Sequence, residues 1–172
     1  TRTTTLSVKQ TLRIMSQVAA GLAAIHDRRI LHRDLSKNNI MVTPPGTAKI
    51  LDLGLSRVGH TLATVSMESK VVGTILYMAP EVIQGVGATF ASDVFSFGVL
   101  LYETLAGKNP FHGENAHAVM YSIVNKDPEP LEQAMPDLPT DICEIVSACM
   151  EKVAAERARD LHRISERLAD AA

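Results

Sequence analysis

The chain has 172 residues, 46% of them hydrophobic and 21% charged, with a formal net charge of −2. That length suits one domain or a piece of a larger one, and the composition suits a globular protein with ample core. Scattered lysines and arginines leave no basic footprint for nucleic acid, and no apolar run reaches the roughly 18–20 residues that a membrane span needs.

The N-terminal stretch TRTTTLSVKQ has no signal-peptide core. Ser7 with Gln10 offers a capping box, and Leu12, Met15, Val18, Ala19, Leu22, Ile25 and His26 recur at helical spacing, predicting a helix over 8–27. RILHRDLSKNN has no sustained period and reads as a loop. NIMV and AKIL flank TPPGT, a Pro-Gly turn, which predicts a hairpin of strands 40–42 and 48–51. From 52 to about 73 the sequence turns polar and Ser/Thr-rich, the pattern of a long surface loop, and loops of that length in compact domains are usually functional.

Beyond Pro80 the chain is helical again. Ser92 is the expected cap of an apolar helix that ends at Gly107, with GKNPF as its exit turn. Its run VFSFGVLLY is too short to cross a bilayer and reads as a helix buried on all sides. An amphipathic helix follows over 116–124, then the Pro-rich connection KDPEPLEQAMPDLP. A further helix runs from Thr140 or Asp141 to Glu151, and Leu161, Ile164 and Leu168 mark a last one. The total is mainly α with one small β-hairpin. Cys143 and Cys149, six apart on one helix, point to different faces, so the expectation is two buried, reduced thiols in a cytosolic protein. The six histidines form no ligand cluster.

The chemistry concentrates at the loop and hairpin. Asp34 lies where helix gives way to hairpin, Asn39 precedes the first strand and Asp52 follows the second. A hairpin brings those strand ends together, so Asn39 and Asp52 are expected side by side. One amide oxygen and one carboxylate suit Mg²⁺, which keeps several waters and borrows phosphate oxygens. Asp34 would stand nearby as a proton acceptor for a hydroxyl. The constellation is one for metal-assisted phosphoryl transfer, although each residue taken singly is better read as a turn residue capping backbone amides.

HRDLSKNN, LDLG and GTILYMAPE, in that order, closely resemble the catalytic loop, metal-binding loop and activation-segment end of eukaryotic protein kinases. His32, Arg33, Asp34, Leu35 and Asn39 meet the first pattern. Asp52-Leu53-Gly54 stands for Asp-Phe-Gly, and Ala79-Pro80-Glu81 for Ala-Pro-Glu. DVFSFGVLLYE is similar to the family's buried central helix, with Phe95 where Trp is usual. The resemblance implies a kinase-like C-terminal helical lobe over 1–172 with an activation segment over 52–81. The N-terminal lobe would be absent, since no G-x-G-x-x-G and no Val-Ala-x-Lys occurs in the chain. It implies ATP and Mg²⁺ as cofactors and a protein substrate with a serine or threonine acceptor, tyrosine remaining open.

By resemblance Asp34 is the catalytic aspartate, while Asn39 and Asp52 hold magnesium on the nucleotide phosphates. Arg33 would capture a phosphate on the activation segment, where Thr61, Thr64, Ser66 and Ser69 are candidate acceptors. Glu81 and Arg157 correspond to a buried ion pair, Asp93 to a carboxylate holding the catalytic-loop backbone. His32 and Leu53, beside Gly54, belong to an apolar column, and Met41 would lie under the adenine ring. Thr74 would tie the substrate site to Asp34. The lysine usually found two residues after the catalytic aspartate is Ser36 here, and Lys37 follows one step later, a displacement that turns a side chain elsewhere unless its flexible stem swings back to the γ-phosphate. These departures are similar to the tyrosine-kinase-like group of serine/threonine kinases. Two functions stay open: an ATP-dependent protein kinase, or a non-catalytic lobe acting as a protein-binding module.

Overall fold

The structure is a computed structural model that describes residues 6–52, 73 and 75–172. Helix α1 spans Val8–Asp27 and opens on the expected box. The Ser7 hydroxyl accepts from the Gln10 N–H at 3.2 Å, and the Gln10 side-chain oxygen accepts from the Ser7 N–H at 2.9 Å. Its apolar face, with Leu12, Met15, Val18, Ala19 and Leu22, is buried against the last helix and the hairpin.

Strands β1 (Ile40–Val42) and β2 (Ala48–Ile50) pair antiparallel with Ile40 opposite Ile50. The turn closes because Gly46 takes φ 84°, a left-handed backbone that costs glycine little. The amide of Gln17 clamps the hairpin to α1, donating to the Gly46 carbonyl at 3.1 Å and accepting from the Ala48 N–H at 3.0 Å.

The helices that follow are α2 (Pro80–Ile83), α3 (Phe90–Ala106), α4 (Ala116–Asn125), α5 (Leu131–Ala134), α6 (Thr140–Cys149) and α7 (Leu161–Asp170). Helix α3 starts earlier than expected. Thr89 is the cap, and Ser92 sits three positions in, its hydroxyl accepting from the Thr89 N–H at 2.9 Å. The extra residues place the Phe90 ring edge-on to His26, centroids 4.8 Å apart. Val94, Phe95, Phe97, Val99, Leu100, Leu101 and Tyr102 are all buried, and the helix stops at Gly107 with φ 71°.

Two further boundaries differ from the sequence reading. The Pro-rich connection contains the single helical turn α5, started at Pro130 and anchored by buried Leu131. Helix α6 ends at Cys149 rather than Glu151, because the Met150 N–H bends back onto the Val146 and Ser147 carbonyls. Cys143 and Cys149 are free and buried, and burial pushes the Cys149 thiol up to about 12. Among the described residues no helix is long and apolar enough to cross a membrane.

Candidate active site

After residues 28–30, whose N–H groups bond back to the Ile25 and His26 carbonyls of α1, the chain enters residues 31–36, which borrow backbone partners from elsewhere. The carboxylate of Asp93, 1% exposed near the start of α3, does most of this. Its Oδ2 accepts from the His32 N–H at 2.8 Å, its Oδ1 from the Arg33 N–H at 2.8 Å, and His26 Nε2 lies 2.9 Å from Oδ2. Arg33 sits in the left-handed region at φ 67°, a strained conformation for a side-chain-bearing residue that persists only where its surroundings over-determine it. The two bonds to Asp93 are that determination, and they leave the Arg33 side chain exposed.

His32 is fully buried and ties the loop to the end of the hairpin. Its Nε2 faces the Leu51 carbonyl at 3.1 Å, and its Nδ1 accepts from the Asp34 N–H at 3.3 Å, an arrangement that requires the Nε2–H tautomer. One imidazole therefore sets the residue before Asp52 and the backbone of Asp34. Leu35 is buried beneath them.

Asn39 ends a short 3₁₀ turn, Lys37–Asn39, and enters β1. Its Nδ2 donates to the Asp34 carbonyl at 2.7 Å and to Asp34 Oδ2 at 3.2 Å. Its own carbonyl accepts from the Leu51 N–H at 2.8 Å, one residue before Asp52. Asp52 is exposed, with φ 50°, and like Arg33 and Arg29 (φ 61°) lies in the left-handed region. Asp34 and Asn39 thus touch at the end of the hairpin where Asp52 follows Leu51. The Asn39 amide nitrogen is committed to Asp34, which leaves its Oδ1 for a cation. Among the described residues no three His, Cys, Asp or Glu side chains are arranged to hold a metal; a cation held by Asn39 and Asp52 would have to take its other ligands from water and phosphate.

Lys37 points the other way. Its ammonium donates to Glu103 Oε1 at 2.7 Å. Glu103 Oε2 also accepts from the Tyr77 hydroxyl at 2.5 Å and from Asn109 Nδ2 at 3.2 Å. Burial alone would raise the Glu103 carboxyl, but these donors outweigh it and hold the group below its ordinary value. Burial and the same carboxylate push the Tyr77 phenol well above its usual range.

Glu81 and Arg157 form a two-pronged pair, Nη1 to Oε1 at 2.8 Å and Nη2 to Oε2 at 3.2 Å. The guanidinium, 2% exposed, also donates to the carbonyls of Ala91, Glu151 and Lys152 and lies 5.1 Å from the Phe95 ring centroid. Met41 sits on the hairpin's open face, 41% exposed. Leu53, Gly54, Thr74, Thr61, Thr64, Ser66 and Ser69 lie outside the described residues.

Sequence reasoning gave no site role to Glu103, Tyr77 or His26. Glu103 carries a legible signal, since an acid closing the apolar run VFSFGVLLY needs a partner once buried. His26 carries none, because its partner lies 67 residues away.

Residues 1–166 match the family described as the protein kinase domain. Serine/threonine-protein kinase PknA of Mycobacterium tuberculosis is 37% identical over 158 residues, covering 92% of this chain and 36% of that protein. A probable serine/threonine-protein kinase PknB of Corynebacterium glutamicum is 37% identical over 164 residues, covering 88% and 25%. Serine/threonine-protein kinase pkn2 of Myxococcus xanthus is 35% identical over 167 residues, covering 93% and 20%. The chain spans about a third or less of the length of these curated relatives. With the matched family covering nearly its whole length, this chain belongs to the protein kinase family.

Proposed function

We propose that the protein transfers the γ-phosphoryl group of Mg-ATP to a serine or threonine hydroxyl of a protein substrate, and that this chain supplies the catalytic loop and the metal-holding pair. The observation that carries the reading is the direct bond from Asn39 Nδ2 to Asp34 Oδ2, at the hairpin end where Asp52 follows Leu51. Asp34 accepts the proton of the acceptor hydroxyl, while Asn39 Oδ1 and the Asp52 carboxylate bind Mg²⁺, which neutralises charge on the phosphates when bound. Met41 faces outward beside the strand ends, where an adenine ring would rest. The bacterial relatives are named serine/threonine kinases, which supports serine or threonine acceptors. The order Ser36-Lys37 keeps the likeness to the tyrosine-kinase-like group within this proposal.

Positioning supplies most of the catalysis in phosphoryl transfer, and the 172-residue sequence contains neither a G-x-G-x-x-G loop nor a Val-Ala-x-Lys stretch. This chain by itself is therefore expected to show no turnover. A non-catalytic docking lobe is favoured by the exposed apolar Met41, Val42 and Leu51 at the hairpin, but such a lobe has no chemical need for Asp34, Asn39 and Asp52 together. The test is transfer of labelled phosphate from Mg-ATP to a Ser/Thr-containing acceptor protein by the complete gene product. Transfer that falls at least 10²-fold in Asp34→Asn supports the reading. Undiminished transfer in that variant refutes it.

A further inference from the structure

The lysine of the catalytic loop is the residue whose placement departs furthest from the family pattern. Lys37 opens the 3₁₀ turn that separates Asp34 from Asn39, so whatever holds Lys37 holds the spacing of the site. What holds it is Glu103, one turn from the end of α3. The same carboxylate receives Tyr77, whose backbone is pinned to α3 by the Ser96 hydroxyl, which donates to the Tyr77 carbonyl at 2.7 Å. Tyr77 belongs to the stretch leading into Ala79-Pro80-Glu81. One half-buried carboxylate, 15% exposed at its side chain, thus joins the catalytic loop to the exit of the activation segment.

The electrostatics give the ammonium a specific job. Tyr77 and Asn109 are neutral donors, and Lys37 is the one cation bonded to Glu103 among the described residues. Without it the carboxylate would stay half-buried with no countercharge, and the 3₁₀ turn would lose its side-chain tie to the core. An ammonium engaged at 2.7 Å with Glu103 is not aimed at a phosphate beside Asp34. Its side chain is 64% exposed, so the bond matters less for folding than for fixing the direction of the turn.

We propose that Lys37 is a positioning residue that fixes the Asp34–Asn39 spacing through Glu103 and couples it to Tyr77, rather than a group that binds the transferred phosphate. The proposal rests on the kinase reading above. Three variants of the complete gene product test it: Lys37→Met, Glu103→Gln and the double variant. Each single variant is expected to lower kcat about fivefold with the KM for ATP unchanged, and the double variant to lose no more than one of them. Lys37→Arg, which reaches the same carboxylate, is expected to restore most of kcat. A raised ATP KM in Lys37→Met, or losses that multiply in the double variant, would overturn the proposal. A second arm needs no activity: a urea-denaturation cycle of the same variants in the 172-residue chain should show coupling between the two positions. Strict additivity there overturns the anchor whether or not the protein is a kinase. No transfer by the unsubstituted gene product overturns the kinase reading and the positioning role with it, while coupling in the folding cycle would still report the contact itself.

Discussion

Replacing Arg157 with methionine asks what the buried ion pair contributes. The substitution keeps an unbranched, apolar side chain of useful volume in a site that is 2% exposed, so the cavity left behind is small. Four interactions go with the guanidinium: the paired contact with Glu81 and the bonds to the Ala91, Glu151 and Lys152 carbonyls. Glu81 is left 12% exposed at its side chain, with the Ser92 hydroxyl at 2.7 Å and a backbone N–H but no countercharge. Breaking a buried pair on one side costs about 3–5 kcal/mol. With a urea m-value of about 2 kcal/mol per molar, about 4 kcal/mol moves the midpoint down by about 2 M. The sign with pH follows from Glu81. Burial works to raise its carboxyl, but bonds from Arg157 and Ser92 overcome this and hold it below its ordinary value. Such a group contributes stability that is present above the unfolded carboxylate pKa and lost as pH falls through the depressed folded value. The difference between wild type and Arg157→Met should therefore be full at neutral pH and shrink in acid. A loss under about 1 kcal/mol at pH 7, the size expected of a solvent-exposed pair, would refute this account.

Gly98→Ala should cost about 1–3 kcal/mol in the same denaturation assay, because the new methyl would stand 2.7 Å from Cys149 Cβ and 2.9 Å from Met150 Cγ where α3 crosses the end of α6; an unchanged midpoint would show that α6 yields freely. Lys152, lowered to about 8 chiefly by burial, binds its proton less readily when folded than when unfolded. Stability should therefore rise with pH from about 8 toward the ordinary lysine value, and this rise should be missing from Lys152→Met. The buried Cys149 thiol, pushed up to about 12, works in the opposite sense from about its ordinary value upward, but it is common to both proteins and cancels in their difference; equal pH slopes in the two proteins would refute the prediction.

The parts of this molecule that were legible in its sequence are those whose cause is local. The box at Ser7 and Gln10, the period of α1 and the Pro-Pro-Gly turn of the hairpin each lie within a few residues of the structure they specify, and those elements appear where expected. The start of α3 was less legible because two hydroxyl residues, Thr89 and Ser92, stand three apart and both take part in one reciprocal cap. A reading from the sequence sees either as the boundary. Helix α5 is one turn in a Pro-rich stretch, too short to show a period. At the site, the contact of Asp34 with Asn39 is local, made across the short turn between them, whereas the direction of Lys37 depends on a carboxylate 66 residues away. Nothing near Lys37 encodes that distance.

The anchors of the site share one support. Asp93 at the head of α3 holds the backbone of His32 and Arg33, Ser96 holds Tyr77, and Glu103 holds Lys37. Asp93 and Glu103 are ten positions apart, about 15 Å along a helix at 1.5 Å per residue. The loop over 31–37 is thus stretched between two fixed points on an element whose other faces are packed by Phe95, Phe97, Val99, Leu100 and Leu101. A helix buried on all sides cannot slide or turn without disturbing close-packed neighbours, so the apolar run in the sequence is a condition for the geometry of the polar one. This explains how the loop can hold Arg33 and, through His32 and Leu51, Asp52 in left-handed conformations. The strain at Arg33 and Asp52 is met by bonds to a close-packed core.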